Sequence, residues 1–371
     1  MTSNSSPING DPSVLQLDRA IGELRRGRAI RLRGGDGTAV IAAAEMLRQP
    51  LLERLRSTGA PLHLVMTAQR AAALGLSYEP DDVAVLSIME HFDAAQLRQL
   101  AGTGSESVEP SAQNTHSADV VNADMSTVLR FVKSGRLLPA LVWSIQDVSD
   151  DASMIELDVA ALDQDAAVLA NHRLERVSEA HVPLADALDT RIVMFRDEYM
   201  LGEHIAVLVG KPSQGNAVPV RLHSACLTGD LFGSLRCDCG EQLRTAVACI
   251  SELGGGVLLY LDQEGRGIGL TNKLRAYALQ DEGLDTLDAD QHLGFLADER
   301  SYRVAAMLLR ELGFTRVELL TNNPQKIAAL RDHGIEVTGR RALIAATTEH
   351  NERYLRAKRE RAGHLVEDSG N

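Results

Sequence analysis

The chain has 371 residues, of which 44% are hydrophobic and 24% charged, a soluble globular composition with room for two ordinary domains. Its formal net charge of −13 lacks the basic footprint that nucleic-acid binding requires, and an aromatic content of 4% leaves few platforms for stacked bases. No segment is apolar for long enough to span a bilayer, so neither a nucleic acid nor a membrane is an expected partner.

The first residues, MTSNSSPINGDPS, lack a basic flank and an apolar core. Residues 1–14 therefore read as a polar, disordered tail and not as a signal peptide. From Leu15, apolar residues Leu17, Ala20, Ile21 and Leu24 recur at helical spacing up to Gly27. A short apolar strand over 29–32 runs into Gly34, Gly35, Asp36 and Gly37, read as a strand-to-helix turn because the lysine and hydroxyl of a phosphate loop are missing. A helix over 42–46, a strand over 62–66 and a helix over 68–73 continue an αβ rhythm. Residues 101–118 are rich in Gly, Ser, Glu and Asn without a period and read as a surface loop. The acids within 149–158 read as a solvated face. The first domain is expected to end near 180, giving a tail over 1–14, one domain over 15–180 and a second over 181–371.

In the second domain, strands are expected within 191–209 and 218–223, a helix over 240–253 and a buried strand over 256–261. Cys249 falls in that helix as an unliganded thiol. The strand ends in Asp262-Gln263-Glu264-Gly265-Arg266-Gly267, which presents a carboxylate and a guanidinium on a glycine-rich turn, and a helix over 270–280 follows. A helix ending at Gly313 and a strand over 317–320 lead into Thr321-Asn322-Asn323-Pro324. Asparagine at the cap and proline at the first helical position mark a helix start. With Lys326 in the first turn, that start offers a phosphate seat, or else an ordinary capped turn. The fold class is α/β (α+β), two domains that each hold a mixed sheet with helices.

The stretch RLHSACLTGDLFGSLRCDCGEQ, residues 221–242, holds three of the four cysteines, Cys226, Cys237 and Cys239. Thiolates suit a tetrahedral Zn²⁺ at about 2.3 Å, and three sulfurs leave one position for water, which is the arrangement of a catalytic zinc. Two other readings stay open: a buried apolar cluster of thiols, and a structural site completed by His223.

Four segments, RLHSACLTGDLFGSLRCDCGEQL, DQEGRGIGLTNKLRAYALQDEG, HLGFLADERSY and LLTNNPQK, resemble the signature segments of the GTP cyclohydrolase II family in the right order. The resemblance runs from about Val182 onward. It implies a homodimeric cytoplasmic enzyme of αβ fold that opens the imidazole ring of GTP, releasing formate and pyrophosphate, at the start of riboflavin synthesis. It implies one zinc per chain on Cys226, Cys237 and Cys239, with Mg²⁺ on the GTP phosphates. The GTP-contacting positions would be Arg221, Leu222, His223, Ser224, Ala225, Gln242, Glu264, Gly265, Arg266, Thr286, Thr321 and Lys326. Asp298 would be the proton acceptor, Arg300 the nucleophile, and Tyr277 a participant in the ring-opening hydrolysis. A guanidinium is not a nucleophile while protonated, so an electrostatic clamp is the more conservative role for Arg300. Ala225 departs from the family, where many members carry a glutamate. That departure keeps two alternatives in view, a relative acting on another purine nucleotide or heterocycle and a zinc-stabilised nucleotide-binding regulator.

The amino-terminal part is similar, more weakly, to a 3,4-dihydroxy-2-butanone-4-phosphate synthase domain, through RAIGELRRGRAIRL, HLVMTAQRAAALGL and the spacing to Gly135-Arg136-Leu137-Leu138-Pro139. That family's acidic loop after the first strand is here RLRGGDGTAV, with Asp36 as its single acid, and a family histidine near Leu137 is missing. The expectation is a retained fold without the metal chemistry.

Overall fold

The computed structural model describes residues 12–34, 37–79, 83–104, 115–116, 125–145, 153–163, 174–197, 202–213 and 215–343. These fall into two compact units, one formed by the described residues up to 171 together with Thr271–Asp298, the other by His172–Leu270 and the described residues from Glu299 onward. The sequence reading drew one boundary near 180. In the structure, Thr271–Asp298 packs with the first unit.

The first unit is built on a seven-stranded sheet of β1 (Ile30–Gly34), β2 (Gly37–Ala43), β3 (His63–Thr67), β4 (Val83–Ser87), β5 (Thr115–His116), β6 (Ala140–Ile145) and β7 (Glu156–Asp158), in the order β5-β4-β3-β6-β2-β1-β7. The expected helix over 42–46 is corrected. Ala42 and Ala43 belong to β2, which pairs antiparallel with β1 on one side and β6 on the other, and a single 3₁₀ turn, Ala44–Met46, follows. Pairing on both edges overrides the helical preference of the alanines. The expected strand-to-helix turn is accordingly a β1–β2 hairpin with Gly34 opposite Gly37, and Gly35 and Asp36 lie outside the described residues.

Two further segments take a more specific form. Within 101–118, Thr115 and His116 pair with Leu86 and Val85 of β4 as a short edge strand, while 105–114 and 117–118 lie outside the described residues. Of the acids in 149–158, Glu156 and Asp158 sit on β7, parallel to β1. There Arg31 Nη1 lies 3.2 Å from Glu156, and Arg33 lies 3.4 Å from Glu156 and 3.6 Å from Asp158. Both stay part-exposed, in keeping with a solvated face, and serve as counter-charges for the arginines of β1; residues 149–152 lie outside the described residues. The tail over 1–11 also lies outside them, and the first helix begins at Pro12.

The second unit has a seven-stranded sheet of β8 (Leu174–His181), β9 (Thr190–Asp197), β10 (Glu203–Gly210), β11 (Val218–Ser224), β12 (Gly255–Leu261), β13 (Arg316–Leu320) and β14 (Glu336–Arg341), ordered β14-β13-β11-β12-β10-β9-β8. From β14 to β12 neighbouring strands run parallel, and from β12 to β8 antiparallel. Alternation along β12 divides the core. Val257, Leu259 and Leu261 join the apolar layer under helices Arg303–Glu311 and Pro324–Asp332, and Leu258 joins the layer under helix Cys239–Glu252. The helix starting at Pro324 is capped as the sequence predicts, with the Asn323 side chain accepting from the Gln325 N–H. No helix among the described residues is long and apolar enough to cross a membrane.

Gly256 shows how closely the central strands meet. A Cβ there would lie 2.4 Å from the Pro219 carbonyl oxygen and 2.9 Å from Ile250 Cγ2. Gly256→Ala must push β11 away from β12, at a cost of about 1–3 kcal/mol. Thermal unfolding should fall by several degrees, and a melt within about 1 °C of the parent would contradict this packing.

Candidate functional site

Three parallel strands, β11, β12 and β13, end side by side, and candidate side chains of the second unit gather near their carboxyl ends, where open α/β sheets place ligands. Register decides which face they share. Arg221 pairs with Leu258 and His223 with Tyr260, so both point to the side of helix Cys239–Glu252. Arg221 is buried at 6% exposure; its Nη1 donates to the Leu320 carbonyl at 3.0 Å and its Nη2 to Gln242 Oε1 at 2.6 Å. Gln242 Nε2 donates in turn to Asp238, the buried residue between two of the cysteines, at 2.5 Å. Burial pushes the Arg221 guanidinium down to about 10, against the opposing pull of Asp238. Lys326, also buried, donates to the Leu222 carbonyl at 2.9 Å.

The cysteines come together as the sequence predicts. The ligating atoms of Cys226, Cys237 and Cys239 all lie within 4.8 Å of one another. Cys226 Sγ and Cys237 Sγ are 3.6 Å apart, too far for a disulfide and close to the ~3.8 Å edge of a tetrahedron of thiolates about a zinc at about 2.3 Å. Two glycines make this possible. A Cβ on Gly240 would lie 2.3 Å from the Gly229 carbonyl oxygen, so the start of helix Cys239–Glu252 rests on the single turn Leu227–Asp230. A Cβ on Gly229 would lie 2.7 Å from Cys237 Sγ and 3.1 Å from Cys226 Sγ, so the sulfur cradle stays open only because that residue has no side chain. The hydrogen bond with Cys226 and burial push the Cys237 thiol up to about 11, and the same neighbours drive Cys239 up as well. Thiols crowded in this way keep their protons until a cation arrives, and a divalent metal reverses that balance. The donor set fits a thiolate-preferring metal such as zinc. His223 is committed elsewhere, with Nε2 3.1 Å from Asp230 Oδ1, and burial lowers its pKa.

The Glu264 turn abuts this cradle. Glu264 Oε2 accepts from the Leu227 N–H at 2.6 Å and Oε1 from the Gly265 N–H at 3.1 Å. Gly265 and Arg266 both have left-handed backbone, with φ 62° and 60°. For a non-glycine residue such as Arg266 this is costly and frequent at functional sites. A Cβ on Gly267 would meet the Glu299 carbonyl carbon at 2.9 Å, so the turn lies directly against the chain that leads to Arg300. The Arg300 guanidinium and the Lys326 ammonium both face the Tyr302 ring, at 5.5 and 5.9 Å from its centroid. Thr321 is buried, with Oγ1 accepting from the Asn323 N–H at 3.0 Å. Ser224 closes β11, and just beyond it the Ala225 N–H donates to the Leu261 carbonyl at 2.8 Å.

The second unit therefore holds Arg221, Leu222, His223, Ser224, Ala225, Gln242, Glu264, Gly265, Arg266, Arg300, Thr321, Lys326 and the three cysteines. Tyr277, Thr286 and Asp298 belong instead to the Thr271–Asp298 segment of the first unit. There Tyr277 has Lys273 Nζ 5.6 Å from its ring centroid, and Thr286 opens a helix capped by Asp285. Asp230, Asp238, Tyr260 and Tyr302 were missed by sequence reasoning. The sequence carried no local signal for Asp230, because its burial and its contacts with His223 and Tyr260 arise only in the fold.

The model of the GTP cyclohydrolase II family matches residues 175–342. A GTP cyclohydrolase-2 of Azospirillum brasilense is 43% identical over 365 residues, covering 96% of this chain and 95% of that one. The chain belongs to the GTP cyclohydrolase II family. It is accordingly an enzyme, a hydrolase. A second GTP cyclohydrolase-2, from Xylella fastidiosa strain Temecula1, is 41% identical over 96% of this chain and 88% of its own length. A riboflavin biosynthesis protein RibBA of Bacillus mycoides is 45% identical over 223 residues, 60% of this chain and 56% of that protein.

The cradle yields a direct test. Gly229→Ala inserts a methyl group among the sulfurs and should weaken zinc binding at least about tenfold, as read by competition with a chelator, while far-ultraviolet circular dichroism stays unchanged. Parental zinc affinity in the folded variant would contradict the geometry.

Proposed function

We propose that this GTP cyclohydrolase II family member is a zinc-dependent hydrolase that converts GTP to 2,5-diamino-6-(5-phosphoribosylamino)pyrimidin-4(3H)-one, formate and pyrophosphate, the first step of riboflavin biosynthesis. The observation that carries the reading is the three-sulfur cradle placed beside buried Arg221, Lys326 and Glu264 at the ends of β11, β12 and β13. Cys226, Cys237 and Cys239 would hold the metal, which lowers the pKa of water and so supplies hydroxide at neutral pH. One water opens the imidazole ring, a second frees formate and a third cleaves the bond that releases pyrophosphate.

The chain's own residues bind and orient. Arg221, Arg266, Arg300 and Lys326 would supply positive charge to the triphosphate, and Mg²⁺ would add further charge neutralisation there. Glu264, which accepts the Leu227 and Gly265 backbone N–H groups, is the buried carboxylate that would accept the guanine N1–H and 2-amino group, a pairing that selects guanine over adenine. Leu222, His223, Ser224, Ala225, Gln242, Gly265 and Thr321 complete the contacts in that unit. Thr286, Tyr277 and Asp298 take their roles from the sequence match, as nucleotide contact, participant in hydrolysis and proton acceptor. Arg300 acts as an electrostatic clamp on the phosphoryl group. The reading places the enzyme in the cytoplasm as a homodimer.

The test is product identification by mass after incubation with GTP and Mg²⁺, with formate assayed in parallel. The expected products are the deformylated diaminopyrimidine, formate and pyrophosphate, and Cys237→Ser should lose both the zinc and the ring opening. Binding of GTP without formate would favour a regulator. Turnover of another purine nucleotide in preference to GTP would favour a relative altered at Ala225.

We infer further that the first domain, expected over 15–180, keeps a 3,4-dihydroxy-2-butanone-4-phosphate synthase-like fold without the activity. Enolising a sugar phosphate needs a Mg²⁺ site rich in oxygen ligands. The acids beside β1, Glu156 and Asp158, are engaged by Arg31 and Arg33. Among the described residues the cysteine trio is the one group suited to a metal. Full-length protein given ribulose 5-phosphate and Mg²⁺ should yield no four-carbon phosphate; turnover by a zinc-stripped sample would overturn the inference.

A further inference from the structure

Asp230 carries a buried carboxylate that no nucleotide-contacting or metal-ligating role uses. Its side chain is 7% exposed. Three donors from three parts of the second unit converge on it. The Cys226 backbone N–H donates to Oδ2 at 3.0 Å, the Tyr260 hydroxyl of β12 donates to Oδ2 at 2.9 Å, and His223 Nε2 of β11 lies 3.1 Å from Oδ1 and 3.2 Å from Oδ2. The Asp230 N–H closes the loop on the Cys226 carbonyl at 2.7 Å. The His223 and Tyr260 rings stack, 5.6 Å between centroids and 18° between planes.

An ionised carboxylate can only accept, so each of these partners must present a proton to it. For His223 that fixes the proton on Nε2 and leaves Nδ1 as the acceptor. For Cys226 it fixes the backbone from which the first sulfur projects. One side chain therefore sets two things at once, the position of a thiolate in the metal cradle and the tautomer of a histidine in the nucleotide-contacting strand.

We propose that Asp230 is a positioning residue that ties the first thiolate of the metal cradle to His223 of the nucleotide-contacting strand. The proposal rests on the zinc-hydrolase reading given above. Removing such an outer partner of a metal ligand costs about 10–100-fold in metal affinity or activity. Asp230→Asn is the sharpest probe, because it keeps the shape and replaces one acceptor by an NH₂ group. With the amide oxygen held by the Cys226 N–H and the Tyr260 hydroxyl, the NH₂ faces His223 Nε2, which must then lose its proton and accept.

Three readouts test the tie on the full-length enzyme. Zinc affinity by chelator competition should fall about 10–100-fold in Asp230→Asn. The ¹⁵N imidazole signals of His223, assigned by comparison with His223→Gln, should move from the Nε2–H to the Nδ1–H tautomer. With zinc restored to saturation, KM for GTP should remain raised while kcat recovers more, because the cradle is refilled but the tautomer of a nucleotide-contacting histidine is not. A folded Asp230→Asn with parental zinc affinity and an unmoved tautomer would overturn the proposal, and so would a change in one of the two without the other. Tyr260→Phe, which deletes a single donor, should loosen zinc a few-fold with the His223 tautomer retained; unaltered zinc affinity there would count against the tie even where Asp230→Asn fails to fold. Zinc affinity and tautomer are read without turnover, so failure of the GTP reaction itself would appear separately, as a parent enzyme that binds zinc and releases no formate.

Discussion

Parallel pairing of β11 with β12 and β13 is the constraint on which the second unit depends. Parallel neighbours end on the same edge of a sheet, so whatever follows each strand is delivered to one place. Here β11 delivers His223 and the first cysteine, β12 delivers the Glu264 turn, and β13 delivers Thr321 and the helix that bears Lys326. The fit at Gly256 against Pro219 holds β11 and β12 at that spacing. On the antiparallel side, β8 to β10 extend the sheet and its core without contributing a site residue.

The cysteine cradle is an electrostatic problem that the backbone poses and leaves for a cation to answer. Gly240 seated on the Gly229 carbonyl forces three sulfurs into one small volume. Their thiols resist ionisation there, because each new negative charge would sit beside the others in partly dry surroundings. The same crowding would become favourable if a divalent ion supplied the missing charge, and its binding would then be coupled to release of protons. The hydrogen bond from the Leu227 N–H to Glu264 then links the cradle to the turn that carries Arg266.

Legibility in the sequence followed the length and periodicity of each segment. The helix starting at Pro324 was readable because its cap, proline and closing glycine are local chemistry. Cys226, Cys237 and Cys239 were readable because few residue types compete for their role. β2 was not, because a run with three alanines becomes a strand only through β1 and β6, which the local sequence does not contain. β7 hid in an acidic stretch whose counter-charges, Arg31 and Arg33, stand far away in the chain. Asp230 was illegible for a related reason: two of its three partners, His223 and Tyr260, are brought together by strand register. The grouping of Thr271–Asp298 with the first unit likewise leaves no local mark.

The two buried cations hold each other's strands. Arg221 of β11 reaches the Leu320 carbonyl at the end of β13, and Lys326, which follows β13, reaches the Leu222 carbonyl of β11. This reciprocal buckle fixes two long side chains in single rotamers during folding. Immobilising such a side chain at an interface costs about 0.5–1.5 kcal/mol of entropy. An anion arriving at Arg221 and Lys326 meets charges whose freedom has already been surrendered, so the attraction goes into binding instead of ordering the site.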